Sequence, residues 1–425
     1  MSSESPAEPS LLRIRAFRLL LAMRLASTAS SRMLSVVISW QIYDLTDSAL
    51  ALGLIGLIQF LPPLLLTLAS GEVADRCNRR TVVRWCYLIE IGLLSSLLVL
   101  TLMDQPPIAA FYIILFLIAT ARTFENPAQQ SLLPTMVPRE ILGRAVAAFS
   151  STTRIASLSA PAIGGLIYVL GPEIDYLCCI ALVITALTSA LLLPRPADAN
   201  SGKQKTTWTT LIAGFRFVWG NRVLLGVMTL DLWATFFGGV TALLPIFARD
   251  ILEIGPFGLG ILRSSPSAGA LLMALVLARF PIKRSAGVVM LTGVAIYGAT
   301  TMVFAVSDIV ALSLFALFGL GAADTISQVI RKTLIQSMTP DNVLGRVSAV
   351  TALSNHVGAH LGQFESGLLA EWFGAVGSAL IGGIAVFGVV VIWSVRFPQL
   401  RAIERADAAI ATDISPGAAD SNTRR

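Results

Sequence analysis

Twelve stretches of this chain are each long and apolar enough to cross a lipid bilayer, and that repetition limits the fold more than any other feature. A helix needs about 20 mostly apolar residues to span the hydrocarbon core. Backbone polar groups there must be paired within the protein, which leaves helices or closed barrels. Barrel strands would show short alternating runs, whereas these runs are long and continuous. The spans lie near 17–43, 49–70, 81–103, 107–124, 145–170 and 174–194, then near 222–249, 256–279, 286–306, 308–330, 346–370 and 373–395. Only 13% of the residues are charged, against about 25% in soluble domains, so the apolar surface has no refuge but lipid.

Charge placement tests this map independently. With the N-terminus inside, the inner segments hold Arg13, Arg15 and Arg18, then Arg76, Arg79, Arg80 and Arg84, then Arg139 and Arg144. The middle of the chain adds Arg195, Lys203, Lys205, Arg216 and Arg222, and later turns add Arg279, Lys283, Arg284, Arg331, Lys332 and Arg346. The outer turns carry Asp44, Asp47, Asp104, Glu173, Asp175, Asp250, Glu253, Asp308 and Glu371, with Arg249 as the one basic residue, at a span edge. This alternation obeys the positive-inside rule. It implies an even number of spans with both termini cytoplasmic, and it explains the net charge of +6 without nucleic acid. Arg13 to Ser30 imitates a signal peptide, but Arg24 interrupts the apolar run, so an uncleaved first span is expected. Cys77, Cys86, Cys178 and Cys179 lack zinc spacing and read as reduced, small hydrophobes.

The chain also repeats itself. Residues 132–144, LLPTMVPREILGR, recur without gaps 202 residues later as LIQSMTPDNVLGR at 334–346. Each copy leads into the fifth span of its half, so the halves run in the same direction, as in transporters with parallel repeats. The expected organisation is a six-helix bundle over 1–194, a cytoplasmic linker over 195–221, a second bundle over 222–396 and a tail over 397–425. Trp208, Phe215, Phe217 and Trp219 with Arg216 suggest an interfacial helix in the linker.

Between the second and third spans stands Gly71-Glu72-Val73-Ala74-Asp75-Arg76-Cys77-Asn78-Arg79-Arg80. It resembles the G-x-x-x-D-R-x-G-R-R signature of the major facilitator superfamily, with Asn78 at the second glycine. Gly71 would let two helices approach closely, Asp75 would accept from a helix N-terminus, and Arg76, Arg79 and Arg80 would exchange partners during gating. In the fifth span, Ala156-x-x-x-Ala160-Pro161-Ala162-Ile163-Gly164-Gly165 resembles the superfamily's antiporter motif with alanines at its leading glycines. That motif accompanies export in the family; tight helix packing is the competing explanation. The chain is similar throughout to the drug and siderophore exporter branch, that of enterobactin exporters and macrolide efflux proteins. The match rests on Ala16-Phe17-Arg18 with Arg24, on Arg154 before Pro161, and on Thr339-Pro340 with Leu344-Gly345-Arg346, then Asn355, Gly358 and Gly362. The resemblance implies the twelve-helix major facilitator fold, an all-α membrane protein of the bacterial inner membrane, monomeric and without cofactors.

A charge near the bilayer centre costs about 2.5–3.5 kcal/mol on insertion scales, so each needs a reason. Glu90, Asp231, Asp324 and Glu365 are the acids; Arg24, Arg32, Arg122, Arg154 and Arg263 are the bases. The family fold implies that all but Glu90 sit on cavity-lining spans. Asp231 and Asp324 lead as proton-coupling groups, with a structural ion pair or a helix-end contact as the alternative; Glu90 reads as packing or lipid-side topology. Arg122 resembles the arginine of the family's fourth-span motif, although Asn126 stands where a glycine is expected. The arginines suit an anionic or acceptor-rich cargo such as a siderophore, or pairing with the nearby acids. His356 and His360 share one helical face and would shuttle protons or line the path; no further ligands at metal spacing accompany them.

There is no phosphate-binding G-x-x-x-x-G-K-[ST] loop and no soluble nucleotide-binding domain, so energy must come from gradients. One proton crossing 100 mV gains about 2.3 kcal/mol, which sustains a cargo gradient of about fifty-fold. The reading is therefore a proton-coupled exporter of a siderophore or drug-like molecule, in contact with protons and lipid. An importer or facilitator on the same fold is the alternative. A membrane-embedded enzyme is a third class, disfavoured because the acids are scattered across the spans rather than clustered at one face.

Overall fold

The computed structural model describes residues 11–194, 208–282, 285–401 and 403, in which all regular structure is helical. Arg195, Lys203, Lys205, Lys283, Arg284, the tail arginines past Arg401 and the side chain of Asp75 lie outside the described residues. The helices of the first half are α1 (Arg15–Thr46), α2 (Ala49–Arg76), α3 (Arg79–Thr101), α4 (Ile108–Met136), α5 (Leu142–Tyr168) and α6 (Pro172–Leu192). Then come the linker helix α7 (Trp208–Gly220), α8 (Arg222–Phe237), a short α9 (Leu244–Ile246), α10 (Gly255–Arg279), α11 (Ala286–Ala305), α12 (Val310–Met338), α13 (Asp341–Arg396) and α14 (Pro398–Arg401).

Local chemistry explains the boundaries. Asp47, in the left-handed region at φ 48°, ends α1, and the Ser48 hydroxyl accepts from Ala51 N to start α2. Asn78, the departure from the family's glycine, caps α3 by accepting from Arg80 N. Gly171 at φ 121° turns the chain into Pro172, the first residue of α6. Helix α13 covers two expected spans; Gly374, at φ 74°, separates them. Nine described helical segments satisfy length and hydropathy for crossing a membrane. Counting the two limbs of α13 and adding the arginine-bearing α1 and α5, the described helices are consistent with twelve spans.

The seventh span departs from the expected single helix over 222–249. Beyond Phe237 it passes through a 3-10 turn at Gly239–Ala242, then α9, then a π-turn at Phe247–Ile251. A Cβ on Gly239 would lie 2.2 Å from Gly362 O, and Pro245 supplies no N–H. Close approach to α13 and a missing donor thus break the regular ladder. The fourth and tenth spans also run further than expected, to Met136 and Met338.

The chain divides into two compact units that do not follow its halves. Unit 1 comprises Met1–Ala51, Ile58–Thr206 and Ala248–Ser264; unit 2 comprises Leu52–Leu57, Thr207–Phe247 and Ser265–Arg425. In unit 1, α1 packs on α5, α6 and α4, and α3 on α4 and α6, around the fully buried Phe17, Tyr87, Phe111 and Tyr176. In unit 2, α13 packs on α8 and α11, and α11 on α12, around Val227, Met290, Leu334 and Val386.

The sequence repeat is also a backbone repeat. Helices α4 and α12 both have 29 residues and start and stop at the same 202-residue offset. Their capping residues Val137 and Thr339 are both extended, and Pro138 and Pro340 follow at φ −56°, ψ 146° and φ −59°, ψ 146°.

Candidate functional site

Arg122, Glu125 and Gln129 are spaced i, i+3, i+7 on α4, so they share a face, and in unit 1 they build a buried polar centre. Arg122 donates Nε and Nη2 to Glu90 Oε1 at 3.1 and 2.5 Å. Glu90 is 1% exposed, so its role is an ion pair and not the packing expected of it. Glu125 Oε1 accepts from Gln129 Nε2 at 2.8 Å, and the same amide reaches Ser27 Oγ and Tyr87 OH. The sequence reading missed Glu125 and Gln129 because it ended the fourth span before them.

Three further arginines of unit 1 contact no carboxylate. Arg24 donates to Thr153 Oγ1 at 3.0 Å, Asn126 Oδ1 at 3.2 Å and Gln129 Oε1 at 3.1 Å, and it lies 5.3 Å from the Phe149 ring. Arg263 donates to Ser35 Oγ at 2.8 Å and Ser39 Oγ at 2.9 Å, while its Nε is buried without a partner among the described residues. Ser35 and Ser39 in turn donate to the carbonyls of Arg32 and Val36, which orients their lone pairs outward from α1. The Arg32 side chain is exposed, and its guanidinium makes no hydrogen bond or ion pair among the described residues.

The accessibility of α1 gives this arrangement a direction. Arg18, Ala22, Leu25 and Arg32 are exposed at helical spacing, forming a stripe along one side. From Val36 to Tyr43 every residue is buried. Arg32 therefore stands at the inner end of the stripe, where Arg263 bridges Ser35 and Ser39.

Unit 2 holds a second polar centre. Arg331 Nη1 pairs with Asp231 Oδ1 at 2.6 Å, the side chains being 6% and 8% exposed. Thr235 Oγ1 donates to the same oxygen at 3.3 Å. Asp324 lines a cavity of about 140 Å³ with Asp231, Arg331, Thr235, Tyr297 and Ser327. Among the described residues Asp324 makes no ion pair and accepts no hydrogen bond. Arg331 and Lys332 lie within its electrostatic reach.

The motif between α2 and α3 is placed at their shared end. Arg76 pairs with Glu72 at 2.9 Å, both exposed. Arg79 donates to Ser131 O at 3.2 Å and Arg80 to Leu191 O at 3.4 Å, so both brace the ends of neighbouring helices. The close approach expected at Gly71 is not made, since a Cβ there would meet no atom within 4 Å. The fifth-span motif does make tight crossings. Ala156, Ala160 and Pro161 are buried, and Gly164 faces Met33 of α1. A Cβ on Gly165 would lie 3.0 Å from Gly260 Cα and 2.5 Å from Pro256 O; one on Gly260 would lie 2.4 Å from Pro161 O.

Two remaining groups stand apart from these centres. His356 and His360 stack with centroids 6.0 Å apart and planes 6° apart, and Arg154 is exposed without a described partner. Arg249, read from sequence only as an exception to the charge rule, donates to Asp250 Oδ1 at 2.8 Å and to Asp47. It also lies 3.7 Å from Asp44 and 4.2 Å from the Tyr43 ring centroid.

Comparison with known proteins agrees with this architecture. The sequence profile of the transmembrane secretion effector family matches residues 5–419. The chain is 26% identical over 382 residues to the enterobactin exporter EntS of Salmonella choleraesuis (strain SC-B67), covering 89% of this chain and 90% of that one. It is 26% identical over 401 residues to the enterobactin exporter of Shigella dysenteriae serotype 1, covering 91% and 92%. Among solved structures, the nucleoside transporter NupG, as a mutant, superimposes with TM-score 0.71 at 14% identity, covering 91% of this chain and 99% of that one. A bacterial homologue of the iron transporter ferroportin gives 0.68 at 16%, covering 91% and 100%. At such identities these structures speak for the fold alone.

Proposed function

This chain belongs to the transmembrane secretion effector family, and we propose that it is a secondary active exporter, moving a small siderophore- or drug-like molecule out of the bacterial cytoplasm by alternating access coupled to proton entry. The observation that carries the coupling is the unpaired carboxylate of Asp324 beside the Asp231–Arg331 ion pair. A buried pair of opposite charges is neutral and keeps its proton state, whereas a desolvated carboxylate without a direct partner is held in place only by gaining a proton or a cation. Asp324 is thus the proton carrier and Asp231 the anchor that fixes Arg331. Proton entry at Asp324 supplies enough energy for about a fifty-fold cargo gradient per 100 mV. The cargo class draws on the relatives, which are named as enterobactin exporters.

Topology fits the same reading. With the arginines of the 71–80 turn on the cytoplasmic side, both termini are cytoplasmic and the stripe of α1 is entered from within the cell. The test is transport of enterobactin in proteoliposomes under an imposed pH difference. Uphill movement that vanishes in Asp324→Asn, while downhill movement persists, supports the reading. Equal pH dependence in wild type and variant removes Asp324 from the coupling; downhill movement alone in the wild type marks a facilitator.

A further inference from the structure

The basic residues of unit 1 exceed its acids. Arg24, Arg32, Arg122 and Arg263 gather around α1 with Glu90 and Glu125, a formal excess of two positive charges among these six residues. Glu90 is committed to Arg122, and Glu125 is the one acid within electrostatic reach of Arg24. The direct contacts of Arg24 and Arg263 are neutral oxygens, those of Thr153, Asn126, Gln129, Ser35 and Ser39. Neutral oxygens satisfy N–H geometry and leave the charge uncompensated. Arg32, with no described partner, lies within reach of two like charges, Arg122 and Arg24. A fold that gathers four guanidinium groups against two carboxylates is built for a ligand that brings further negative charge.

We propose that the cargo binds unit 1 as an anion, with Arg32 at the head of the α1 stripe as its principal contact and Arg24 and Arg263 flanking it, and that its export is consequently electrogenic. The inference rests on the export reading and adds to it a substrate charge and a second driving force. Ligand oxygens of a carboxylate or an ionised catechol match the planar fork of Arg32, which a single ammonium would not. Arg263, already pinned by two serines, contributes its charge from the flank rather than a free N–H edge, since its Nε is buried. A cell interior is electrically negative, so an anion leaves it downhill; each net negative charge adds about a fifty-fold gradient per 100 mV. A cation exported through the same fold would have to climb that potential.

The test uses full-length protein in proteoliposomes with equal pH on both sides and a potassium diffusion potential set by valinomycin. The probes are 2,3-dihydroxybenzoate and enterobactin as oxygen-rich anions, and tetraphenylphosphonium as a lipophilic cation. The expected result is transport of an anionic probe toward the positive side. Arg32→Gln should weaken its binding about ten- to hundredfold, the loss of one charge-assisted contact, and Arg32→Lys should recover part of it. Arg32 is exposed, so neither change threatens folding. Transport of the cation alone, or anion binding untouched by Arg32→Gln, overturns the inference. Anion transport driven by a pH difference but indifferent to potential also overturns it while leaving the export reading intact. If no probe moves under either gradient, both readings fall.

Discussion

Gln129 of α4 and Arg331 of α12 occupy the same position in the two copies of the repeat, and each links its helix to the first helix of its half. Gln129 reaches Ser27 of α1 at 3.2 Å, and Arg331 reaches Asp231 of α8 at 2.6 Å. The same register sets Arg122 against Asp324 and Glu125 against Ser327. The backbone has been kept while the charges have been exchanged: the buried centre of unit 1 holds surplus arginine, and that of unit 2, with Asp231 and Asp324 against Arg331, surplus carboxylate.

The Asp231–Arg331 pair should behave as a buried ion pair. Asp231→Asn or Arg331→Gln alone leaves an uncompensated charge and should destabilise the protein by about 3–5 kcal/mol. The double variant should recover a large part of that loss. Thermal unfolding of the four proteins in one detergent checks this, and additive losses would refute the pairing.

Gly260, which packs against the fifth-span motif, and Gly71, which opens the 71–80 motif, should respond in opposite ways. Gly260→Ala places a methyl 2.4 Å from Pro161 O and should cost about 1–3 kcal/mol or block transport. Gly71→Ala meets open space and should be neutral or mildly stabilising, since alanine favours helix by about 1 kcal/mol. Unfolding midpoints and efflux rates of the two variants decide the matter.

How much of this was legible in the sequence divides along physical lines. The spans announced themselves because lipid leaves a helix no alternative, and the 334–346 copy was visible because Met338, Pro340 and the terminal Leu-Gly-Arg recur in place. The partners were not visible. Glu90 and Arg122 lie 32 residues apart on neighbouring helices, and neither spacing nor composition joins them. Glu125 and Gln129 sit in a stretch rich in polar residues, 122–131, that reads as the end of a span but continues as helix, with Gln129 donating to Glu125.

Cysteine chemistry offers a check on packing and orientation together. Cys77 is exposed within the 71–80 turn, whereas Cys86 and Cys179 are buried. A maleimide should label Cys77 in the purified protein within the first phase of reaction and reach Cys86 and Cys179 only after denaturation. In intact cells a membrane-impermeant maleimide should leave Cys77 unlabelled, and labelling there would place the turn outside.

The Arg249 cluster should be sensitive to salt. Its acids Asp44 and Asp47 are 61% and 71% exposed, so each contact is worth less than about 1 kcal/mol and is screened. Arg249→Gln should therefore shift the unfolding midpoint little at high salt and more at low salt. A large shift independent of salt would show instead that the Tyr43 ring contact dominates.

The connector that ends α4 and α12 has a wider meaning. Two segments that share backbone angles at Val137-Pro138 and Thr339-Pro340, yet differ at half their side chains, are one joint built twice. Geometry there is held constant by proline and the following helix start, while Arg139-Glu140 in one copy and Asp341-Asn342 in the other give it different charge.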